Sequence, residues 1–294
     1  MAIYDFTFYE DPKINEDRPW NDECIYCKSK MVKHSLKNFW KTDYKEIKLI
    51  HSETIKSYKE IHDLEDCYLD LNMQCQSTEV WINVCEICGW WKIVKDVSIS
   101  AKEWQIWQFY FGVIGSLKQF DIHDISIPIN EIEQYLASRY ESRLSLHPKL
   151  FEEVTASIFE NLGYTSFVTG FTHDGGIDII LEKDSKQIGV QVKRYKNKVG
   201  VEQIRSFGGA LILSGYTEGI FVTTSDFGYG ACKAANNFTR IGLPIRLINA
   251  ESFYDALKIK RKNAFDLEEF KEIFKKHSIS KLIYYGWSIP MNSL

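Results

Sequence analysis

Several things are scarce or missing in this 294-residue chain, and each absence narrows the possibilities. There is no excess of positive charge: 36 Lys and Arg face 40 Asp and Glu, for a net charge of −4. A general polycation field is therefore excluded, and any contact with nucleic acid must come from local patches or a bound metal. No run approaches the roughly 18 apolar residues of a membrane span. The longest apolar stretch, "IWQFYFGVIGSL", is interrupted by Gln108, Gly112 and Gly115. The first twenty residues lack the basic start and apolar core of a secretory signal. Repeats and low-complexity tracts are absent as well. The expectation is a soluble, cytoplasmic protein with no membrane association.

What is present is core-forming material, with 45% hydrophobic and 14% aromatic residues, enough to exclude disorder as the main state. Length favours more than one domain. The divisions expected are a cysteine-rich module at 1–100, a helical connector at 101–146, a regular α/β domain at 147–260 and a helical extension at 261–294. In the connector, "AKEWQIWQFYFGVIGSLKQF" and "PINEIEQYLASRY" both read as helices, the second with Pro128 near its start. From Pro148 the pattern becomes regular. Apolar residues at 151, 154, 158, 159 and 162 have helical spacing, and Gly163 is a natural stop. "YTSFVTG", "IDIILEK" and "QIGVQVKRY" read as strands, the last two joined by a turn at "DSK". Helices and strands then alternate to "SFYDALK", with a further helix at "DLEEFKEIFKKH". Strands joined through helices imply a partly parallel sheet, so the class is α/β, with a smaller α+β module in front.

Seven cysteines in a reducing compartment direct attention to metal before disulfides. Cys24-Ile-Tyr-Cys27 and Cys85-Glu-Ile-Cys88 are two CxxC pairs. Two intervening residues let both thiolates converge on one ion, and two such knuckles complete a closed structural zinc site. Cys67, Cys75 and Cys232 lack partners at ligand spacing and read as ordinary apolar residues, and nothing in the spacing of His34, His51 or His62 argues for a ligand. The lysines and aromatics between the pairs, in "KSKMVKHSLKNFWKTDYKEIKLIHSETIKSYK", can either contact nucleic acid or form a solvated amphipathic surface. Trp90 and Trp91 read as packing for the module.

The second cluster lies in "THDGGIDIILEKDSKQIGVQVKRYKN". Residues two apart on a strand share a face, so Gln191 and Lys193 point together while Val190 and Val192 point into the core. If the two strands pair as a hairpin, Asp178 reaches the same edge. On the helix beginning at Pro148, Glu152 borders the apolar face and can approach that edge, whereas Glu153 points to solvent. Alone, Asp178 reads as a turn-capping acid and Lys193 as a strand-edge lysine. Together they form an oxygen cluster beside an ammonium group, suited to magnesium.

The run Phe151-Glu152, then "GGID" ending at Asp178, then "QVKRY" resembles the Mrr-type restriction endonuclease catalytic domain of the PD-(D/E)xK nuclease superfamily. The likeness continues through "KVGVEQIRSFGGAL", "GIFVTTSDFGYGACKAAN" and "IRLINAESFYDAL", from about Pro148 to Leu257. It implies a restriction-endonuclease-like mixed sheet flanked by helices. It also implies roles: Asp178 as the main magnesium ligand, Gln191 where many relatives carry an acid, Glu152 as a further ligand, and Lys193 orienting the attacking water. Arg194, Lys196, Lys198 and Arg205 become candidate DNA-backbone contacts. Thr223 and Thr224 either approach the site or cap the following turn. The expected function is magnesium-dependent DNA hydrolysis in restriction or antiviral defence, by a homodimer or higher oligomer and with a possible partner protein of a defence system. The alternatives are a DNA-binding or sensor module that no longer cuts, and a nuclease acting on RNA or branched DNA.

Overall fold

The computed structural model describes residues 4–5, 17–18, 20–37, 39–40, 44–45, 47–49, 51–53, 56, 71–101, 106–118, 121–170, 175–262, 266–276 and 288–290. Cys67, His62 and the side chain of Cys75 lie outside these. The chain divides into two compact units, one formed by residues 1–118 with 265–294, the other by residues 119–264.

The first unit is built on a five-stranded antiparallel sheet. Strands β2 (Val32–Ser35), β3 (Leu71–Val84), β4 (Trp91–Ala101), β5 (Ile106–Ile114) and β12 (Ser288–Pro290) lie in the order β12-β5-β4-β3-β2. A two-stranded ribbon pairs β1 (Tyr4–Asp5) with β6 (Ser116–Leu117). Ile82, Val84, Trp91, Ile93 and Val113 form one buried cluster, which helix α6 (Leu267–Lys276) joins through Phe270. Val97, Ile99, Phe109 and Phe111 form a second with Ile47.

Within the segment expected as a helix over 101–120, residues 106–114 form a strand instead. Phe109, Phe111 and Val113 are buried in the clusters, at every second position, and Gln108, Tyr110 and Gly112 alternate with them. That period of two serves a sheet, aromatic and β-branched residues suit a pleated surface, and Gly112 weakens a helix. Among the described residues the connector is helical only from α1 (Ile129–Ser138), where Pro128 is the N-cap. In the last 34 residues the helix is found at α6, while β12 pairs with β5.

The second unit contains the expected mixed α/β architecture. Its sheet runs β11-β10-β9-β8-β7, with β9, β10 and β11 parallel and β7, β8 and β9 antiparallel. The strands are β7 (Thr165–Val168), β8 (Ile179–Lys183), β9 (Lys186–Lys193), β10 (Gly219–Thr223) and β11 (Ile245–Ile248). Asp184 and Ser185 turn β8 into β9 with φ of 51° and 59°, the double positive φ of a two-residue type I′ hairpin. Helices α3 (Val201–Leu213) and α4 (Tyr229–Arg240) make the two parallel crossovers and bury Ile204, Phe207, Leu211 and Ala231 with Phe221 and Ile245. Neighbouring Gly189 and Gly219 admit Leu211 to the sheet, because a β-carbon on either would lie within 2.6 Å of its methyl groups. Val190, Val192, Ile220 and Val222 are buried outside that cluster. Helices α2 (Pro148–Asn161) and α5 (Ala250–Arg261) also pack on this sheet, and they meet through Phe151 and Phe253 at 4.9 Å.

Candidate active site and cysteine cluster

Asp178 stands at the entrance to β8. Gly175 and Gly176 precede it with φ of 59° and 90°, a backbone open to glycine and strained for other residues. The Asp178 N–H donates to the Val190 carbonyl at 2.8 Å, and its carboxylate Oδ2 accepts the Val192 N–H at 2.6 Å. The carboxylate is thereby held against the peptide that follows Gln191, on the strand that ends at Lys193. Asp178 and Gln191 are both buried, at 6% and 8% exposure, while Lys193 is half-buried. Gln191 lies beside Gly176, where a β-carbon would be 3.4 Å from its amide nitrogen. The hairpin thus sets the acid against the strand that carries the amide and the lysine.

Glu152 is linked to this group through two intermediaries. Its carboxylate is 3.9 Å from Lys149 Nζ, which donates to the Thr169 carbonyl at 3.3 Å. Thr169 in turn donates its N–H and its hydroxyl to the Asp178 carbonyl, at 2.9 and 3.0 Å. Glu152 therefore borders the site through Lys149 and Thr169. Glu153, expected in solvent, is half-buried. Lys149 and Thr169 have no signature in sequence, since neither lies on a strand whose period would mark it.

The far end of β9 is tied down. Thr224 is fully buried; its N–H donates to the Lys193 carbonyl at 3.2 Å and its hydroxyl to the Tyr195 carbonyl at 2.9 Å. Its own carbonyl accepts Arg143 Nε at 3.0 Å. Thr223, also fully buried, pairs with Lys193 across the sheet and accepts the Ser225 N–H through Oγ1. Of the four candidate backbone contacts, Arg194 donates to the Leu146 carbonyl at 2.6 Å. Lys198 pairs with Asp226 at 3.1 Å and Arg205 with Glu202 at 3.3 Å. Lys196 is exposed, with no carboxylate partner among the described residues. The Asp226 carboxyl is held below its usual range by the Phe227 N–H and by Lys198.

The donor set fits a hard divalent cation: carboxylates and a neutral amide oxygen, with an ammonium group nearby. Among the described residues neither Asp178 nor Glu152 belongs to a group of three or more His, Cys, Asp or Glu that could hold a metal. Such a group is formed, among the described residues, by the cysteines.

Cys24, Cys27, Cys85 and Cys88 have their ligand atoms within 4.8 Å of one another. The sulfurs of Cys24 and Cys88 are 3.4 Å apart, and those of Cys27 and Cys85 3.3 Å. Four thiolates at about 2.3 Å from one ion form a tetrahedron only slightly larger. The two knuckles share one construction. Lys28 N–H donates to the Cys24 carbonyl and Gly89 N–H to the Cys85 carbonyl, each with positive φ, 60° and 77°. The knuckles meet because Val32 pairs with Val84 where β2 begins and β3 ends. Burial pushes the Cys24 and Cys88 thiols up, and hydrogen bonds from neighbouring sulfurs, first that of Cys24, hold Cys27 and Cys85 down. Such a set fits zinc in a structural role, with no position left open. Trp90 and Trp91 are fully buried beside it, Trp90 donating to the Gly115 carbonyl at 2.9 Å.

Comparison with known proteins bears on the second unit. Residues 143–257 match the restriction endonuclease family model. The Mrr-type resemblance therefore extends over the sheet, α2 to α4, the start of α5 and all four candidate catalytic residues. The type IV methyl-directed restriction enzyme EcoKMrr of Escherichia coli (strain K12) is 35% identical over 95 residues, 30% of this chain. The chain covers 31% of that enzyme's length. Among solved structures, the MspJI restriction endonuclease in complex with a 27-mer oligonucleotide shares 18% identity at a TM-score of 0.31, over 55% of this chain and 39% of that one. The restriction endonuclease FokI shares 14% at 0.33, over 54% and 36%. No helix among the described residues is long and apolar enough to cross a membrane.

Proposed function

We propose that the chain is a magnesium-dependent endonuclease that hydrolyses DNA phosphodiester bonds, acting in the cytoplasm in restriction or antiviral defence. The observation that carries this reading is the Asp178 carboxylate held against β9 between Gln191 and Lys193, within a segment similar to restriction endonucleases. Asp178, Gln191 and Glu152 would hold the metal, which when bound supplies Lewis-acid polarisation of the phosphate. Lys193 orients the attacking water and offsets negative charge as it develops on phosphorus. The buried hairpin fixes its members before substrate arrives, so little reorganisation is needed during reaction. Cutting both strands takes two such sites, which favours two copies of the chain on one duplex. The cysteine cluster would hold a structural zinc.

The test is cleavage of supercoiled plasmid, with magnesium, by the wild type and by Asp178→Ala and Lys193→Ala. Each substitution is expected to lower the rate by at least about 10²-fold, the scale of losing one charge-stabilising group. Wild-type rates in both would sink the assignment. A panel of duplex, single-stranded, branched and methylated DNA and of RNA defines the substrate. Binding without cleavage of any member would point to a silent binding module.

A further inference from the structure

The first unit has no place in the chemistry above, yet it contains a segment rich in positive charge. Between Lys28 and Lys59 there are nine lysines and three acids, in a protein whose net charge is −4. Part of this segment borders a cavity of about 880 Å³, within the range of about 300–1,000 Å³ typical of sites that enclose small molecules. β2 ends at Ser35, paired with Trp81, so between Val80 and Gln76 β3 is paired with β4 alone among the described strands. The cavity opens along that stretch.

Its walls combine two chemistries. Trp40 and Tyr44 supply half-buried aromatic surface, and exposed Lys33 and Lys37 stand at the mouth. Trp40 is fixed from within, its ring 6.4 Å from Phe111 and 4.6 Å from the buried Lys95 Nζ. Lys33 Nζ lies 3.9 Å from the Trp81 ring centroid. Exposed Thr78 and Glu79 on β3 add hydroxyl and carboxylate groups that can bond base edges. A second cavity, of about 260 Å³, shares Tyr44 and is bordered by Lys45 and Lys48. Cations in succession along an aromatic-lined hollow match a strand whose phosphates repeat outside while its bases turn inward. Lysines on a flat surface would suffice for duplex backbone; a recess with aromatic walls adds surface on which bases released from pairing can stack.

We propose that this cleft binds an unpaired stretch of DNA, with bases on Tyr44 and Trp40 and phosphates on Lys33 and Lys37. The choice of nucleic acid as partner rests on the nuclease reading. The test is run with cleavage disabled by Asp178→Ala, so either idea can fail while the other stands.

Fluorescence anisotropy of the full chain with labelled single-stranded and duplex oligonucleotides of one sequence, from 50 to 200 mM salt, measures the binding. The single strand is expected to bind more tightly. Tyr44→Ala should weaken it about tenfold while Tyr44→Phe, which keeps the ring, leaves it unchanged. Replacing Lys33 and Lys37 together by Glu should reduce the slope of affinity against salt by about 0.7 per lysine. Lys186→Glu, on the β8–β9 turn of the other unit, is the control. Single-strand affinity unaltered by both Tyr44→Ala and the lysine pair would overturn the proposal, as would a preference for duplex. Displacement of the oligonucleotide by polyglutamate at equal charge would also overturn it, indicating an acidic protein partner.

Discussion

Thr224 and Arg194 show how the same strand end carries groups of different use. Thr224 is buried, and its N–H and hydroxyl fasten the carbonyls on either side of Arg194, those of Lys193 and Tyr195. Removing the hydroxyl alone leaves the Tyr195 carbonyl without that donor at a cost of about 1–3 kcal/mol and loosens the chain two residues beyond Lys193, whose own carbonyl still accepts the backbone N–H of residue 224. Thr224→Val should therefore lower kcat on plasmid DNA by about 10- to 100-fold with KM nearly unchanged, and Thr224→Ser should restore it, since displacement of a catalytic group by about 1 Å costs that much. A fall in affinity with kcat intact, or no rescue by serine, would show that Thr224 does not position the site. The sequence placed Thr224 at the end of a buried strand but could not choose between approach to the site and a cap. The hydrogen bonds that decide it run to residues about thirty positions away. Arg194, a candidate phosphate contact by composition, gives one nitrogen to the Leu146 carbonyl. A charge next to Lys193 carries no mark in sequence of which partner it takes.

The two CxxC turns and the β8–β9 hairpin are elements whose spacing alone predicts their geometry, and both form as the spacing demands. The turns converge only because β2 and β3 pair, and that pairing is what a metal would reinforce. Purified protein should carry about one zinc per chain by metal analysis. Cys24→Ser with Cys85→Ser should abolish it and lower the thermal transition of the first unit, because binding energy in such sites is folding energy. Full zinc content in that double variant, or unchanged melting without zinc, would reject a structural metal. The elements read wrongly fail for a physical reason. β5 has aromatics so dense that they satisfy a helical stripe as well as an alternating one, and only its antiparallel register with β4 separates the two. The strand β12 joins this sheet from almost two hundred residues away in sequence, a distance over which local pattern has no reach. In the second unit the strands are short and punctuated by turns, so local pattern was enough to give their order of succession. The parallel placement of β9, β10 and β11 followed from the helices between them.

At the scale of the whole molecule, the chain leaves the first unit at residue 118 and rejoins it at 265. Residues 119–264 contain the whole sheet β7 to β11, all four candidate catalytic residues and their supporting hydrogen bonds, so this segment has the means to fold by itself. The first unit lacks that independence. Phe270, fully buried, packs edge-on against fully buried Trp91 at 5.1 Å, and β12 covers β5 by pairing Ser288 with Phe109 and Pro290 with Trp107. Deleting residues 265–294 therefore strips a core aromatic and a strand from the unit that holds the cysteine cluster. Loss of a buried Phe alone costs about 3–5 kcal/mol, comparable to the stability of a small domain. Calorimetry of the truncated chain should show the transition associated with zinc release shifted down or lost, and the other transition unchanged. Tryptophan emission should shift to the red as Trp91 meets water. A truncated chain that binds zinc and melts as the full chain does would show that the C-terminal segment is dispensable to the first unit. Should both transitions fall together, the two units would have to be treated as one cooperative body.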